Sequence, residues 1–370
     1  MNLFKFELIK YKKNTKNMVL IILTIIFTVV FCVKENKNIS IQREEAVADA
    51  EVLAGQLMSD QDEYIKNSPE LMPYFDDAIN SINEKFINAT PDDWKLSLKA
   101  DNKLMDNIKT IQKKTTLNYL SKKDFQNKQK NNYFLTHNIK PDNELYGLSA
   151  LYFVKKISSI LFSLYGYLLF LLLFYDLFSR EIERKNKQFL VTLPVSYSRF
   201  IKSKLFLSII LTFLLILFLC MVSFIYGIVV SEAVGSISYP IAFQVSNNAI
   251  EPFPFLVYFS NSLFVFLLMN YLVVLLLVWI SEIGIESEKI LLSFAILITS
   301  ISEIIKALKF YPSHFLFLNY IDLHTTTITI FTRKLLLNYI ESLVFLSLLL
   351  IIVTYYSFRN EFKQKNNLKR

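Results

Sequence analysis

Glycine is scarce in this sequence. There are six in 370 residues, and none of Gly55, Gly147, Gly166, Gly227, Gly235 and Gly284 opens the pattern G-x-x-x-x-G-K-[ST]. A nucleotide-hydrolysing loop needs that pattern because its backbone amides cradle the phosphates while the lysine neutralises them. ATP chemistry is therefore not expected on this chain, and no cofactor is expected to bind it. Histidine is scarcer still, with three residues. Hydrolase chemistry inside a membrane wants paired acids and histidines, or a serine with its base, and no such constellation is found, so no enzyme is expected. His314, Asp322 and His324 share one loop but lack the tight His-x-His or His-x₃-His pair of a zinc site, and His137 stands alone, so no metal is expected. The two cysteines, Cys32 and Cys220, lie in separate apolar runs where a structural disulfide is not expected. No basic stretch interleaves with stacking aromatics, which excludes a nucleic-acid groove.

What the sequence has instead is apolar bulk. Hydrophobic residues make up 53%, phenylalanine alone counts 33, and the mean hydropathy is +0.36, more than a water-soluble domain can hide. The excess is local. Six runs are long enough to cross a hydrocarbon core at helical rise, namely 18–33, 157–177, 205–230, 255–280, 290–305 and 339–358. An all-α membrane protein with six transmembrane helices is the expected fold class.

Basic residues set the orientation, because loops that stay in the cytoplasm retain Lys and Arg. Lys5, Lys10, Lys12, Lys13 and Lys16 precede the first run, seven Lys/Arg lie in 178–204, and five more in 359–370. All three stretches are expected on the cytoplasmic side, so both termini are inside and the span count is even. The short loop 281–288 fits less well, since it holds Glu282, Glu286 and Glu288 and no Lys or Arg. The N-terminal lysines and the apolar run after them could suggest a signal peptide, but no small-residue cleavage site follows, and an uncleaved anchor is expected. Within residues 1–17, Phe4, Leu8 and Tyr11 share one helical face while lysines decorate the others, the pattern of a helix lying in the interface. Asp176, Glu303 and Glu341 fall at span ends, where a carboxylate can reach water, and no proton relay is expected. Aromatics in 306–320, Phe310, Tyr311, Phe315 and Phe317 among them, read as an interfacial belt.

Residues 34–150 then form one inserted domain outside the cell. Its charge is net −3, from 16 basic and 19 acidic residues, within a chain of net +8. Leu71, Tyr74, Phe75, Ile79, Ile82 and Phe86 recur at helical spacing, as do Trp94, Leu98, Met105, Ile108 and Ile111, so the domain is expected to be helical. Pro91 after Thr90 is placed like a helix start, and 122–132 like an exposed helix surface or loop.

The loop from 178 to 204 is too long and too patterned for a passive turn. Residues 181–190, Glu181 and Glu183 among them, are helix-compatible, Leu193-Pro194 interrupts, and Ser196 can cap a new helix that carries Arg199 and Lys204 into the third span. An acidic residue after the second span, a Leu-Pro step and a following Arg and Lys resemble the first cytoplasmic loop of permease subunits of the ABC-2 type transporter family. That resemblance covers the membrane part and not 34–150. It implies that Glu181, Glu183, Leu193, Pro194, Arg199 and Lys204 form a coupling elbow docked on a separate ABC ATP-binding subunit, with Glu282, Glu286 and Glu288 as a second contact. It also implies ATP and Mg on that partner, and a second permease subunit, identical or not, completing the pathway.

The expectation is thus a permease subunit of an ATP-driven exporter of a peptide, antimicrobial or other amphiphile, with 151–358 as the main membrane region. The Lys-, Asn- and Ile-rich composition points to a low-GC bacterium and so to a bacterial plasma membrane. The rival expectation is a membrane sensor or immunity protein that does not transport, whose outer helical domain binds a partner.

Overall fold

The computed structural model describes residues 3–64, 68–183, 197–231, 233–245 and 250–282, with isolated helical positions between 289 and 354. Two compact units emerge. One comprises Met1–Thr28, Val154–Val222 and Phe255–Arg370, the other Val29–Phe153 and Ser223–Pro254. The described chain is mostly helical, with one small antiparallel hairpin.

In the first unit, helix α1 (Leu3–Lys12) is followed after a two-residue turn by the start of α2 (Thr15–Tyr64), whose residues from Val29 on belong to the second unit. The apolar run expected to end at 33 is only the first third of α2, which runs on unbroken because no Gly or Pro interrupts it before Gly55. The run 157–177, expected as one span, is two helices, α6 (Ala150–Leu161) and α7 (Leu164–Glu183), bent by 68°. Ser163 accepts a hydrogen bond from the Tyr165 amide, and Gly166 sits so close to the Leu161 carbonyl that a Cβ there would collide with backbone. A serine and a glycine at one break are a sufficient cause of the bend. Helix α8 (Tyr197–Val230), as far as Val222, and α9 (Phe255–Glu282) complete this part.

Among the described residues α2, α8 and α9 are long and apolar enough to cross a bilayer, and the bent pair α6–α7 makes a fourth if it is one span. This is a membrane-embedded protein. The expected spans 290–305 and 339–358 and the tail 359–370 lie mostly or wholly outside the described residues. Phe162, Phe170, Phe174 and Phe266 are fully buried, with the Phe170 and Phe266 rings 5.5 Å apart. Asn270 Nδ2 donates to Thr212 Oγ1 at 2.7 Å, a buried hydrogen bond joining α9 to α8.

The second unit holds a polar-surfaced helical domain. A 3-10 turn (Pro69–Leu71) leads into α3 (Met72–Ile87), followed by α4 (Trp94–Lys114) and α5 (Lys122–His137). The two sequence stripes become buried faces. Phe75, Ala78 and Ile82 of α3 and Leu104, Ile108 and Ile111 of α4 close over Leu57 of α2. Helix α4 begins at Trp94 rather than beside Pro91, because Thr90 Oγ1 accepts from the Asp93 amide at 3.1 Å and holds 90–93 as a turn. A second cluster joins Trp94, Leu98, Phe134 and Tyr146. Against it packs the hairpin β1 (Pro240–Val245) and β2 (Ile250–Pro254), through Phe243, whose ring lies 5.6 Å from Tyr133 and 5.8 Å from Phe134. The unit thus extends beyond the 34–150 expected from the sequence, because the hairpin within 231–254 packs its aromatic residue on the helical core.

Candidate functional site

The residues flanking the 178–204 loop converge on the end of α7. On its entering side, Asp176 Oδ2 receives Lys16 Nζ at 2.8 Å, and the same ammonium lies 3.5 Å from the centre of the Tyr175 ring. One residue on, the Leu177 carbonyl accepts Lys204 Nζ at 2.6 Å. Lys204 comes from the second turn of α8, so its bond ties the two ends of the loop together.

Lys204 is 1% exposed, and the nearest carboxylate is Glu7 of α1, 3.9 Å away and fully buried. Neither carboxylate oxygen of Glu7 receives a hydrogen bond among the described residues. The Lys204 ammonium also sits 4.4 Å from the Phe200 ring centre. Two opposite charges out of water stabilise each other only as a pair, since each alone would carry its full desolvation cost. Helix α1 reaches this place through its apolar face. Tyr11 is buried, its ring 6.3 Å from Phe174 of α7, and Phe4 meets Phe206 of α8 at 5.8 Å. Burial pushes the Tyr11 phenol up to about 12, so it stays neutral at physiological pH.

The structure therefore assembles α1, the start of α2, the end of α7 and the start of α8 into one clamp. Of the residues singled out from sequence, Lys204 belongs to the clamp, and its side chain faces inward. Arg199, one turn earlier, is exposed. Glu181 and Glu183 form the last turn of α7, and Glu282 ends α9. Leu193, Pro194, Glu286 and Glu288 lie outside the described residues, as do His314, Asp322, Glu303, Glu341 and the aromatics of 306–320. His324 shares a hydrogen bond of 2.8 Å with the Tyr258 hydroxyl, and no group of potential metal ligands occurs among the described residues.

Glu7 was missed from sequence, although the signal was there. It lies three residues after Phe4 and four before Tyr11, so it shares their face, and a lone acid on the apolar face of a lysine-rich helix needs a buried cation.

Comparison with family models, with curated proteins and with solved structures finds no match to this chain.

Proposed function

We propose that this chain is the permease subunit of an ATP-driven ABC exporter, moving a peptide, antimicrobial or other amphiphile, and that ATP is hydrolysed on a separate subunit docked at the 178–204 loop. The observation that carries the reading is the clamp at the loop's ends. A coupling elbow must deliver force to several helices at once, and here Lys16–Asp176, Lys204–Leu177 and Glu7–Lys204 join four helices at its base. A loop that served only as a positive anchor would need none of these bonds. Arg199, exposed at the first turn of α8, and the carboxylates Glu181 and Glu183 at the end of α7 supply charges for the docked subunit to read.

In this reading six spans cross a bacterial plasma membrane, with both termini in the cytoplasm and residues 34–150 outside. A second permease subunit, identical or not, completes the pathway. ATP binding closes the paired ATPase subunits, and the elbow carries that closure through the clamp to the helices bordering the pathway. Glu282, Glu286 and Glu288 offer a second contact.

Purification of the tagged chain from its native membranes tests this. Vanadate-sensitive ATP hydrolysis is expected to co-purify, and Glu181→Lys or Arg199→Glu is expected to remove it while the chain still inserts. Equal ATPase recovery with both variants, or none with the native chain, contradicts the reading.

A further inference from the structure

We propose that the exposed face of α2 between Ile41 and Ser59 docks a cationic amphipathic peptide. On the transporter reading this peptide is the exported substrate; that last step rests on the reading, the docking does not. Beyond its apolar run α2 continues to Tyr64, and residues 44–63 contain seven carboxylates and no Lys or Arg. Asp60 accepts the Tyr119 hydroxyl at 2.7 Å. The other six are exposed and form no ion pair among the described residues.

Helical spacing sorts these charges into two edges. Glu44, Glu51 and Asp62 line one, Glu45, Asp49 and Glu63 the other. Between them runs an uncharged strip of about 30 Å at helical rise, with Ile41, Ala48 and Gly55 at heptad spacing and Val52 and Ser59 beside them. Ile41 is 54% and Val52 61% exposed, so the strip is not consumed by the protein's own fold. The opposite face of α2, through Leu57, already packs on α3 and α4.

Gly55 adds an independent observation. A Cβ placed there meets nothing within 4 Å. Glycine weakens a helix interior relative to alanine, and no contact within the described chain calls for it. With Ala48 it makes a low place in the strip that admits a bulky side chain from a partner helix. A second copy is a poor occupant, because it would bring two sets of unpaired carboxylates together. The complement is a helix with an apolar seam flanked by Lys or Arg.

The full chain in phosphatidylcholine nanodiscs, titrated with a fluorescein-labelled Leu/Lys peptide of heptad-spaced leucines, gives the test by anisotropy, with empty discs as the blank. Binding is expected, weakening as salt rises. The triple variant Glu44→Gln, Glu51→Gln, Asp62→Asn should lower affinity roughly tenfold. Gly55→Phe should block binding without changing the melting temperature. Oligolysine of equal charge should bind far more weakly. Unchanged affinity in the triple variant, equal affinity for oligolysine, or crosslinking of two copies through Val52→Cys would each overturn the proposal. Peptide binding without co-purifying ATPase leaves the docking and removes the transporter reading; ATPase without peptide binding does the reverse.

Discussion

The two units solve one problem in different solvents. In the second, α3 and α4 carry apolar residues on one stripe only, and Phe75, Ile82, Ile108 and Ile111 are buried because water drives them together. In the first, α8 and α9 are apolar all round. Leu214, Leu217 and Met221 of α8 are exposed while Leu207, Ile216 and Leu219 are buried, and nothing in residue type separates the sets. Lipid is as apolar as leucine, so association there depends on packing and on a few polar bonds. The difference teaches where to look for specificity: in the membrane unit it concentrates in the rare polar contacts, Glu7–Lys204, Lys16–Asp176 and Thr212–Asn270.

That contrast can be broken by mutation. Phe75→Ala opens a cavity in a core made by water and should cost about 4 kcal/mol, whereas the equally buried Phe170→Ala should cost about half as much, since Phe170 is buried out of lipid rather than out of water and only its packing is lost. Thermal melts of the full chain in nanodiscs would compare them, and equal losses would remove the distinction. Lys204→Met leaves Glu7 buried without its cation and should destabilise by about 3 kcal/mol, with Glu7→Leu added to it restoring most of the loss. If the double variant melts no higher than the single one, the pair is not the clamp described.

A pH titration sharpens the comparison from the watery side. Tyr146, buried and 3.0 Å from Ser97 Oγ, has its phenol pushed up to about 12 by burial. The folded state then holds that proton more tightly than the unfolded chain does. Its contribution is complete below the ordinary value of 10.0 and is lost as pH rises toward 12. Tyr146→Phe should flatten this alkaline fall, measured by circular dichroism, without abolishing it, because burial also raises the Tyr119 and Tyr239 phenols. The smallest effect is expected of Asn270→Leu, which removes the bond to Thr212 for about 0.6 kcal/mol, the usual worth of such a bond between membrane helices.

The same physics decides what could be read in advance. The stripes of α3 and α4 were legible because amphipathic periodicity is a direct imprint of water. The α6–α7 bend was hidden inside an apolar run where Ser163 and Gly166 looked incidental, and the hairpin was hidden by Pro240, Pro252 and Pro254, which argue against strands except at edges. The unbroken length of α2 was missed because a change from apolar to acidic residues marks a change of solvent, not of secondary structure. At the site, Lys204 was picked for its place in the loop, but its inward burial depends on Glu7, nearly two hundred residues earlier, and no local pattern links the two.

The proposal that a separate ATPase subunit docks on the 178–204 loop is tested by site-specific photo-crosslinking from Arg199, exposed at the start of α8. A photoreactive residue at this position, irradiated in native membranes, should form an adduct with a protein that carries a P-loop, and nucleotide should change the yield. Adducts confined to lipid, or to proteins without a nucleotide-binding loop, would contradict the account.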